Sequence, residues 1–226
     1  MIDVTVTKLL KAYQTGKRDF VGADLNGVCL YRANLRGINL QNANLIGANL
    51  SGADLTRANL SHTNLIGANL SAANLVGTNF QNADLIGANL GGAKLANANL
   101  QDITLNGGNL SGANLGGANL RSASLKGTNF SGAFLSANLT AANLRSANLC
   151  STSLVEANLS NANLKGANLV GANLSRANLE GAILVEANLS NVSLIETNLQ
   201  LVDLQGTNIN PASLQEIDLD IKEFSQ

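Results

Sequence analysis

The sequence predicts an all-β solenoid, a chain wound into stacked coils that turns a corner every five residues. Three observations predict it. A large apolar residue recurs at every fifth position, glycine recurs two positions after it, and the phrase LIGANL begins at Leu45, Leu65 and Leu85. The spacing of five excludes the other regular structures, and the spacing of twenty sets the number of sides.

The five-residue spacing is incompatible with a helix or a flat strand. From Phe20 to Leu135 a large apolar residue, the central residue of each unit, occupies every fifth position, and a small residue usually lies two before it. A helix turns about 100° per residue and would scatter these side chains around its axis. A flat strand would send them to alternate faces. A backbone that bends in every unit keeps them all inside.

Glycine and asparagine occupy the positions where such bends need them. Of the 22 glycines, 18 lie two residues after the central residue, where a type II turn requires a positive φ. The asparagine before the central residue is predicted to bond to local backbone and to stack in ladders between coils.

The twenty-residue repeat of LIGANL indicates four units per coil. Residues twenty apart then lie above each other at the strand spacing of about 4.8 Å. We count 42 central residues between Phe20 and Phe224. The expected rod has about ten coils and is about 50 Å long.

Units such as ANLSG, ADLTR and ANLVG match the consensus A(D/N)LXX, and over roughly Asp19 to Asn208 the chain resembles the pentapeptide repeat family. The resemblance implies a right-handed quadrilateral β-helix. The opening LLKAYQTGKRDF is similar to that of cyanobacterial members. Most of those members have no known function, and some act in cell differentiation through protein contacts.

Three segments are expected: an N-terminal cap over residues 1–18, the β-helix over 19–208 and a C-terminal cap over 209–226. A short helix carrying Leu9, Leu10 and Tyr13 would cover the first coil, with Thr5 or Thr7 at its start and Gly16 past its end. The segment after Asn210 is either a cap, helical or extended, or a dimerisation surface. A monomer and a homodimer through the C-terminal end are therefore both open.

One unit is a residue short, because Leu135 and Leu139 lie four apart in SGAFLSANLT. The deletion falls near residues 136–139. Either Leu135 points inward and Phe134 is exposed, or the reverse. The deletion is a tolerated defect that tightens a corner, or it presents Phe134 as an apolar anchor for a partner.

Composition argues against several functions. The net charge is −1, from 14 basic and 15 acidic residues, so we expect neither nucleic acid nor a membrane as partner. The charge is uneven, being +5 from Met1 to Leu149 and −6 from Cys150 to Gln226. The N-terminus does not resemble a signal peptide, and no apolar run reaches the ~20 residues of a membrane span. A cytoplasmic protein is expected.

We predict no catalytic, cofactor-binding or metal-binding residues, and hence no enzyme. His62, the single histidine, is placed at an outward corner, where a solvated side chain is expected. Cys29 and Cys150 fall about 29 Å apart along the rod and can share neither a disulfide nor a metal. A core filled with leucine and alanine leaves no substrate pocket.

Stacking the sequence in rows of twenty shows two notable outward columns. One column carries an apolar strip, Ile46, Ile66 and Ile86, followed by a cationic strip, Lys126, Arg145 and Lys165. These strips are ordinary strand formers and solvated cations, or they are a binding face. A second column, Glu156, Arg176 and Glu196, indicates ion pairs that stabilise by no more than about 1 kcal/mol each.

The sequence therefore favours a non-enzymatic protein-interaction or scaffold protein with an unidentified protein partner. The residues offered for binding are Ile46, Ile66, Ile86, Lys126, Arg145, Lys165 and Phe134. The alternative is gyrase binding by DNA mimicry, an activity of some pentapeptide repeat proteins. DNA carries one charge per ~1.7 Å, so full mimicry over 50 Å asks for about 30 uncompensated anions.

Overall fold

The computed structural model describes residues 2–3 and 6–210. Its regular elements are β1 (Ile2–Asp3), α1 (Val6–Gln14), β2 (Ala23–Asp24), β3 (Asn188–Leu189) and β4 (Asn208–Ile209). Parallel pairs join β1 to β2 and β3 to β4. The proposed start of the helix at Thr5 and most of the proposed C-terminal cap, residues 211–226, lie outside the described residues.

From Asp19 to Asp203 the chain forms isolated parallel bridges, which join residues twenty apart, such as Asn49 to Asn69, except around the shortened unit. Four units separate the two partners of each bridge, so every coil has four sides. The central residues fill the interior: Leu45, Leu65 and Leu85 are 0% exposed. The predicted β-solenoid is confirmed, and its core is one continuous column of leucine and alanine.

The sides are too short to form long strands, because the backbone leaves the ladder at each corner. In a typical unit the Leu45 N–H donates to the Asn64 carbonyl at 2.7 Å, and the Gly47 N–H donates to the Ile66 carbonyl at 2.9 Å. These two bonds join adjacent coils on either side of a corner. Hydrogen bonding between coils therefore fixes the turn as well as the side.

The residue two after the central residue, which we call the corner residue, adopts a positive φ in glycine and non-glycine units alike. Arg57, His62 and Leu201 are among the 19 non-glycine residues with φ between 53° and 61°. Such residues pay a steric penalty of about 1–2 kcal/mol in this region. The hydrogen bonds to neighbouring coils outweigh that penalty, so glycine is favoured at corners without being required.

Two stacked corners offer a test of this penalty. Ala72 has φ 54° and Gly92, one coil further on, has φ 65° with open space around its α-carbon. We expect Ala72→Gly to raise the free energy of unfolding by up to about 1 kcal/mol and Gly92→Ala to lower it by a similar amount. Urea unfolding measures both. Ala96→Gly, at a residue that has no positive φ, should instead destabilise, and equal effects of Ala72→Gly and Ala96→Gly would contradict the argument.

Asparagines stack on two opposite sides of the solenoid, one in each coil from 39 to 198 on one side and from 49 to 208 on the other, and many of the stacked pairs hydrogen-bond through their side chains. In the second ladder Asn109 Nδ2 donates to Asn89 Oδ1 at 2.9 Å. Asn109 Oδ1 also accepts the N–H of Ser111 at 3.0 Å. Both predicted roles of asparagine, local turn bonding and cross-coil stacking, are confirmed here.

The stacking register adjusts to the shortened unit within one coil. Bridges over this stretch join residues nineteen apart, as in Asn119 to Asn138, and return to twenty from Asn138 to Asn158. Leu135 is 0% exposed and Phe134 is 62% exposed. The inward residue is therefore Leu135, and the aromatic ring faces outward.

A serine replaces the missing corner residue. On this side of the solenoid the corner N–H of Gly117 donates to the Ser136 carbonyl at 2.8 Å, and that of Glu156 donates to the Ser175 carbonyl at 3.1 Å. The deletion removes the N–H that would reach the Val155 carbonyl. The hydroxyl of Ser136 donates to that carbonyl instead, at 2.7 Å.

We expect Ser136→Ala to lower the free energy of unfolding by about 1 kcal/mol, because it leaves the Val155 carbonyl without its donor. Ser131→Ala is the matched control. Ser131 holds the equivalent position in the preceding unit, and among the described residues its hydroxyl donates no hydrogen bond. Similar losses for the two variants in thermal unfolding would mean that the Ser136 bond does not compensate for the deletion.

The N-terminal helix packs on the open end of the first coil. Leu9 is 0% exposed within the core, and the Tyr13 hydroxyl donates to the Arg36 carbonyl at 2.9 Å. Gly16, with φ 99°, follows the helix. Thr7 as the helix cap was wrong, because α1 begins at Val6 and includes Thr7. The pairing of β1 with β2 had no sequence signal.

Candidate functional site

The apolar strip is less exposed than its sequence suggests. Ile86 is 41% exposed, whereas Ile46 and Ile66 are half-buried along the side of the solenoid. All three side chains point outward, as the sequence column predicts, because each isoleucine directly follows a buried central leucine. Most of their surface packs against neighbouring coils, as expected of β-branched residues on a strand surface.

The cationic strip divides into two parts. Lys126 and Arg145 are exposed and form no ion pair among the described residues. Lys165 lies 3.4 Å from the carboxylate of Glu186, the corner residue one coil further on. Its charge is therefore partly balanced, and two exposed cations remain.

Phe134 lies on the opposite side of the solenoid from these two strips, because its unit is two corners away. Its register partner Asn114 is exposed, and two residues beyond Asn114 the chain continues with Gly116 and Gly117. These glycines leave the surface beside the ring without side chains. A Cβ at Gly117 would meet the Asn97 carboxamide, so a side chain at this corner would require Asn97 to shift.

Most of the described acidic residues near the C-terminal half face a cation. Arg176 lies 3.9 Å from Glu156 and 2.8 Å from Glu196, so the predicted ladder of alternating charge is confirmed. The hydrogen bond to Glu196, and then the charges of both glutamates, raise the pKa of Arg176. All three side chains are exposed, and we expect little stabilisation from them.

A further ion pair lies near the N-terminal end, where Arg36 is 3.0 Å from Asp54. Burial opposes ionisation of Asp54, but hydrogen bonds from the Thr56 hydroxyl and N–H, together with Arg36, lower its pKa below the usual value. A lowered carboxyl pKa means that this contribution to stability is present at neutral pH and is lost as the solution is acidified below pH 3.8.

The residues able to do chemistry are dispersed. His62 is an exposed corner residue, and Cys29 and Cys150 are free thiols in different coils. Within the described residues, no three His, Cys, Asp or Glu side chains lie close enough to hold a metal ion. Among the same residues, no helix has the length and apolar character needed to cross a membrane.

Sequence reasoning missed a cleft at the N-terminal end. It has a volume of about 540 Å³ and lies between the helix and the first coil, lined by Leu10, Tyr13, Arg18, Cys29 and Tyr31 among others. One sequence signal could have indicated this cleft. The residues stacked above Tyr31 at intervals of twenty are Ser51, Ser71 and Gly91, so an aromatic residue at position 31 is unusual for its column.

Comparison with known proteins places this solenoid among repeat proteins. A family model described as pentapeptide repeats matches residues 33–71, 63–102, 98–136, 137–176 and 172–210. The chain belongs to the pentapeptide repeat family. Proteins of this family are generally non-enzymatic.

Several solved structures are similar. HetL, a pentapeptide repeat protein involved in heterocyst differentiation regulation from the cyanobacterium Nostoc sp. strain PCC 7120, is 35% identical over 91% of this chain and 97% of its own, with a TM-score of 0.39. The pentapeptide repeat protein alr5209 from Nostoc PCC 7120 is 44% identical over 38% of this chain and 69% of its own, with a TM-score of 0.35. QnrB1, a plasmid-mediated fluoroquinolone resistance protein, is 21% identical over 86% of this chain and 94% of its own, with a TM-score of 0.46. Comparison with curated proteins found no match.

Proposed function

We propose that this protein is a non-enzymatic interaction scaffold that binds a partner protein on the side bearing Phe134. The observation that carries the proposal is the 62% exposure of Phe134 at the one shortened unit. Burying a phenylalanine side chain stabilises by about 1.5–3 kcal/mol relative to leaving it in water. A partner that covers the ring gains that free energy.

The surroundings of the ring suit a protein surface. Gly116 and Gly117 leave the surface next to the Phe134 ring without side chains. Along the same side of the rod lie the half-buried residues Val76, Ala96 and Val155. A flat, weakly apolar surface with one projecting aromatic residue matches the organisation of interfaces in which a few anchors provide most of the binding energy.

Several finer points belong to the same proposal. The solenoid is right-handed with about ten coils, as the resemblance to the family implies, and the protein catalyses no reaction. The strips at Ile46, Ile66 and Ile86 and at Lys126, Arg145 and Lys165 are secondary candidates for the binding face. A cytoplasmic location stays a prediction from the sequence.

The test is affinity purification from lysate of the source cells with four tagged forms. These are the wild type, Phe134→Asp, the triple Ile46, Ile66 and Ile86→Ser variant, and the triple Lys126, Arg145 and Lys165→Glu variant. We expect a partner that is retained by the wild type and by both triple variants and is lost with Phe134→Asp. A partner that is lost only with a triple variant would place the interface on the opposite side.

Gyrase binding by DNA mimicry is the second candidate, and charge pairing weighs against it. Asp54, Glu156, Glu186 and Glu196 each face a cation within 4 Å, so a large share of the described acidic surface is compensated. A DNA mimic needs anions that stay uncompensated. We expect no protection of gyrase supercoiling from a quinolone, and protection in that assay would replace the scaffold proposal.

A further inference from the structure

The first coil has an open strand edge at Cys29 and Tyr31. Asn49 of the second coil donates to the Val28 carbonyl at 2.8 Å and accepts the Leu30 N–H at 2.7 Å. The N–H and carbonyl of Cys29 therefore face the opposite way, toward the end of the rod. Within the described residues neither group has a hydrogen-bond partner, and the Tyr31 carbonyl has none either.

The cap covers other parts of this edge. On the preceding side, β1 pairs with β2 through Ile2 and Ala23. On the following side, the Arg36 carbonyl, equivalent in position to that of Tyr31, accepts the Tyr13 hydroxyl at 2.9 Å. Coverage is incomplete, and the backbone groups of Cys29 and Tyr31 are left, with those of Asn34 on the following side, as a template for another strand.

This edge borders the cleft of about 540 Å³ between the helix and the first coil. Leu10 and Leu30 supply apolar surface to it, and Tyr13 and Tyr31 line it, with Tyr31 53% exposed. A volume of this size accommodates one or two side chains of a bound segment. Backbone groups at the edge and a cleft beside it are the two features needed to add a strand with side-chain selectivity.

The rim of the cleft is positively charged. The Arg18 guanidinium stacks on the Tyr13 ring at 3.9 Å, and that of Arg32 lies 5.0 Å from the Tyr31 ring. The cap and first coil carry six cations, Lys8, Lys11, Lys17, Arg18, Arg32 and Arg36, of which Arg36 pairs with Asp54, against Asp19 and Asp24 over residues 6–36. An excess of this sign raises the local concentration of anionic partners.

We propose that the open edge at Cys29 and Tyr31 binds an extended, acidic segment of a partner protein as an added strand. The segment's backbone pairs with the N–H and carbonyl of Cys29 and with the carbonyl of Tyr31. One of its side chains enters the cleft, and its carboxylates lie near Arg18 and Arg32. This surface is separate from that of Phe134, so either can fail without the other.

The two cysteines allow a direct test, because Cys29 lies at the edge and Cys150 lies several coils away in the same chain. The full-length protein is treated with a maleimide, and the modification of each thiol is followed by mass spectrometry. The probe is a synthetic heptapeptide of alternating valine and aspartate. A matched peptide carries lysine in place of each aspartate.

We expect the acidic peptide to slow modification of Cys29 in a saturable manner and to leave Cys150 unchanged. Added salt should weaken the protection. Arg32→Glu should raise the apparent Kd about tenfold or more. Arg57→Glu is the matched control, because Arg57 is also an exposed corner residue with positive φ but, unlike Arg32, lies over no aromatic ring of the cleft, and it should leave the Kd unchanged.

Three results would overturn the proposal. Equal protection by the lysine peptide would remove the charge argument, and no protection by either peptide would leave the edge without a strand-binding role. Self-association of the wild type that Arg32→Glu abolishes would assign the edge to a second copy of this chain. Analytical ultracentrifugation of the two proteins measures that outcome.

Discussion

Replacing Leu65 with Asp is expected to lower the free energy of unfolding by several kcal/mol and to leave much of the protein unfolded. Leu65 is 0% exposed in a column of leucine and alanine, so the new carboxylate would lose its hydration with no cation nearby. The coil cannot turn the side chain outward, because its N–H is held by the Asp84 carbonyl at 2.7 Å. Circular dichroism during thermal unfolding measures the loss.

Ile66→Asp is the control for this prediction, since it adds the same charge one residue further on. Ile66 is half-buried with its side chain outward, so the carboxylate stays in contact with water and the loss should stay below about 1 kcal/mol. Equal melting temperatures for the two variants would show that the inward and outward assignment is wrong.

The second large effect is expected from Phe130→Ala, which should cost about 3–5 kcal/mol. Phe130 is 0% exposed and fills a central position that is held by leucine in the adjacent coils, at Leu110 and Leu149. Removing its ring leaves a cavity that the neighbouring coils cannot close, because hydrogen bonds fix their spacing. Urea unfolding followed by circular dichroism gives the change in free energy.

Phe134→Ala removes the same ring four residues later and is the matched control. Because Phe134 is 62% exposed, its loss should change the free energy of unfolding by less than about 0.5 kcal/mol. The two variants thus separate stability from binding, since the scaffold proposal requires Phe134→Ala to weaken partner capture while the protein stays folded. Comparable destabilisation by both would mean that Phe134 supports the fold.

The sequence predicted the solenoid because each five-residue unit repeats the same pattern of apolar, small and turn-forming residues. The inward positions of residues such as Leu45 and Ala48 and the turns at residues such as Gly47 follow from spacing and residue type alone. The ion pairs of Arg176 also followed, since residues twenty apart must be neighbours once four units close a coil.

The candidate sites were less accessible to sequence reasoning. Spacing placed Phe134 in an ambiguous register, because a unit of four residues allows either neighbour to point inward. The cleft beside Tyr31 arises where a helix meets a coil, and no repeat describes that contact. Lys165 was expected in a strip of free cations, but its pairing with Glu186 depends on how two side chains bend at a corner.

The sequence by itself determined the four-sided coil, the leucine and alanine core and the asparagine ladders, because each depends on a period that stacking reproduces every twenty residues. Only the tertiary structure decided which residue points inward at the shortened unit, how Ser136 replaces a missing backbone donor and which strand edge stays open at Cys29. Those features occur where the period breaks, and there the packing of particular neighbours, rather than the repeat, sets the conformation of lowest free energy.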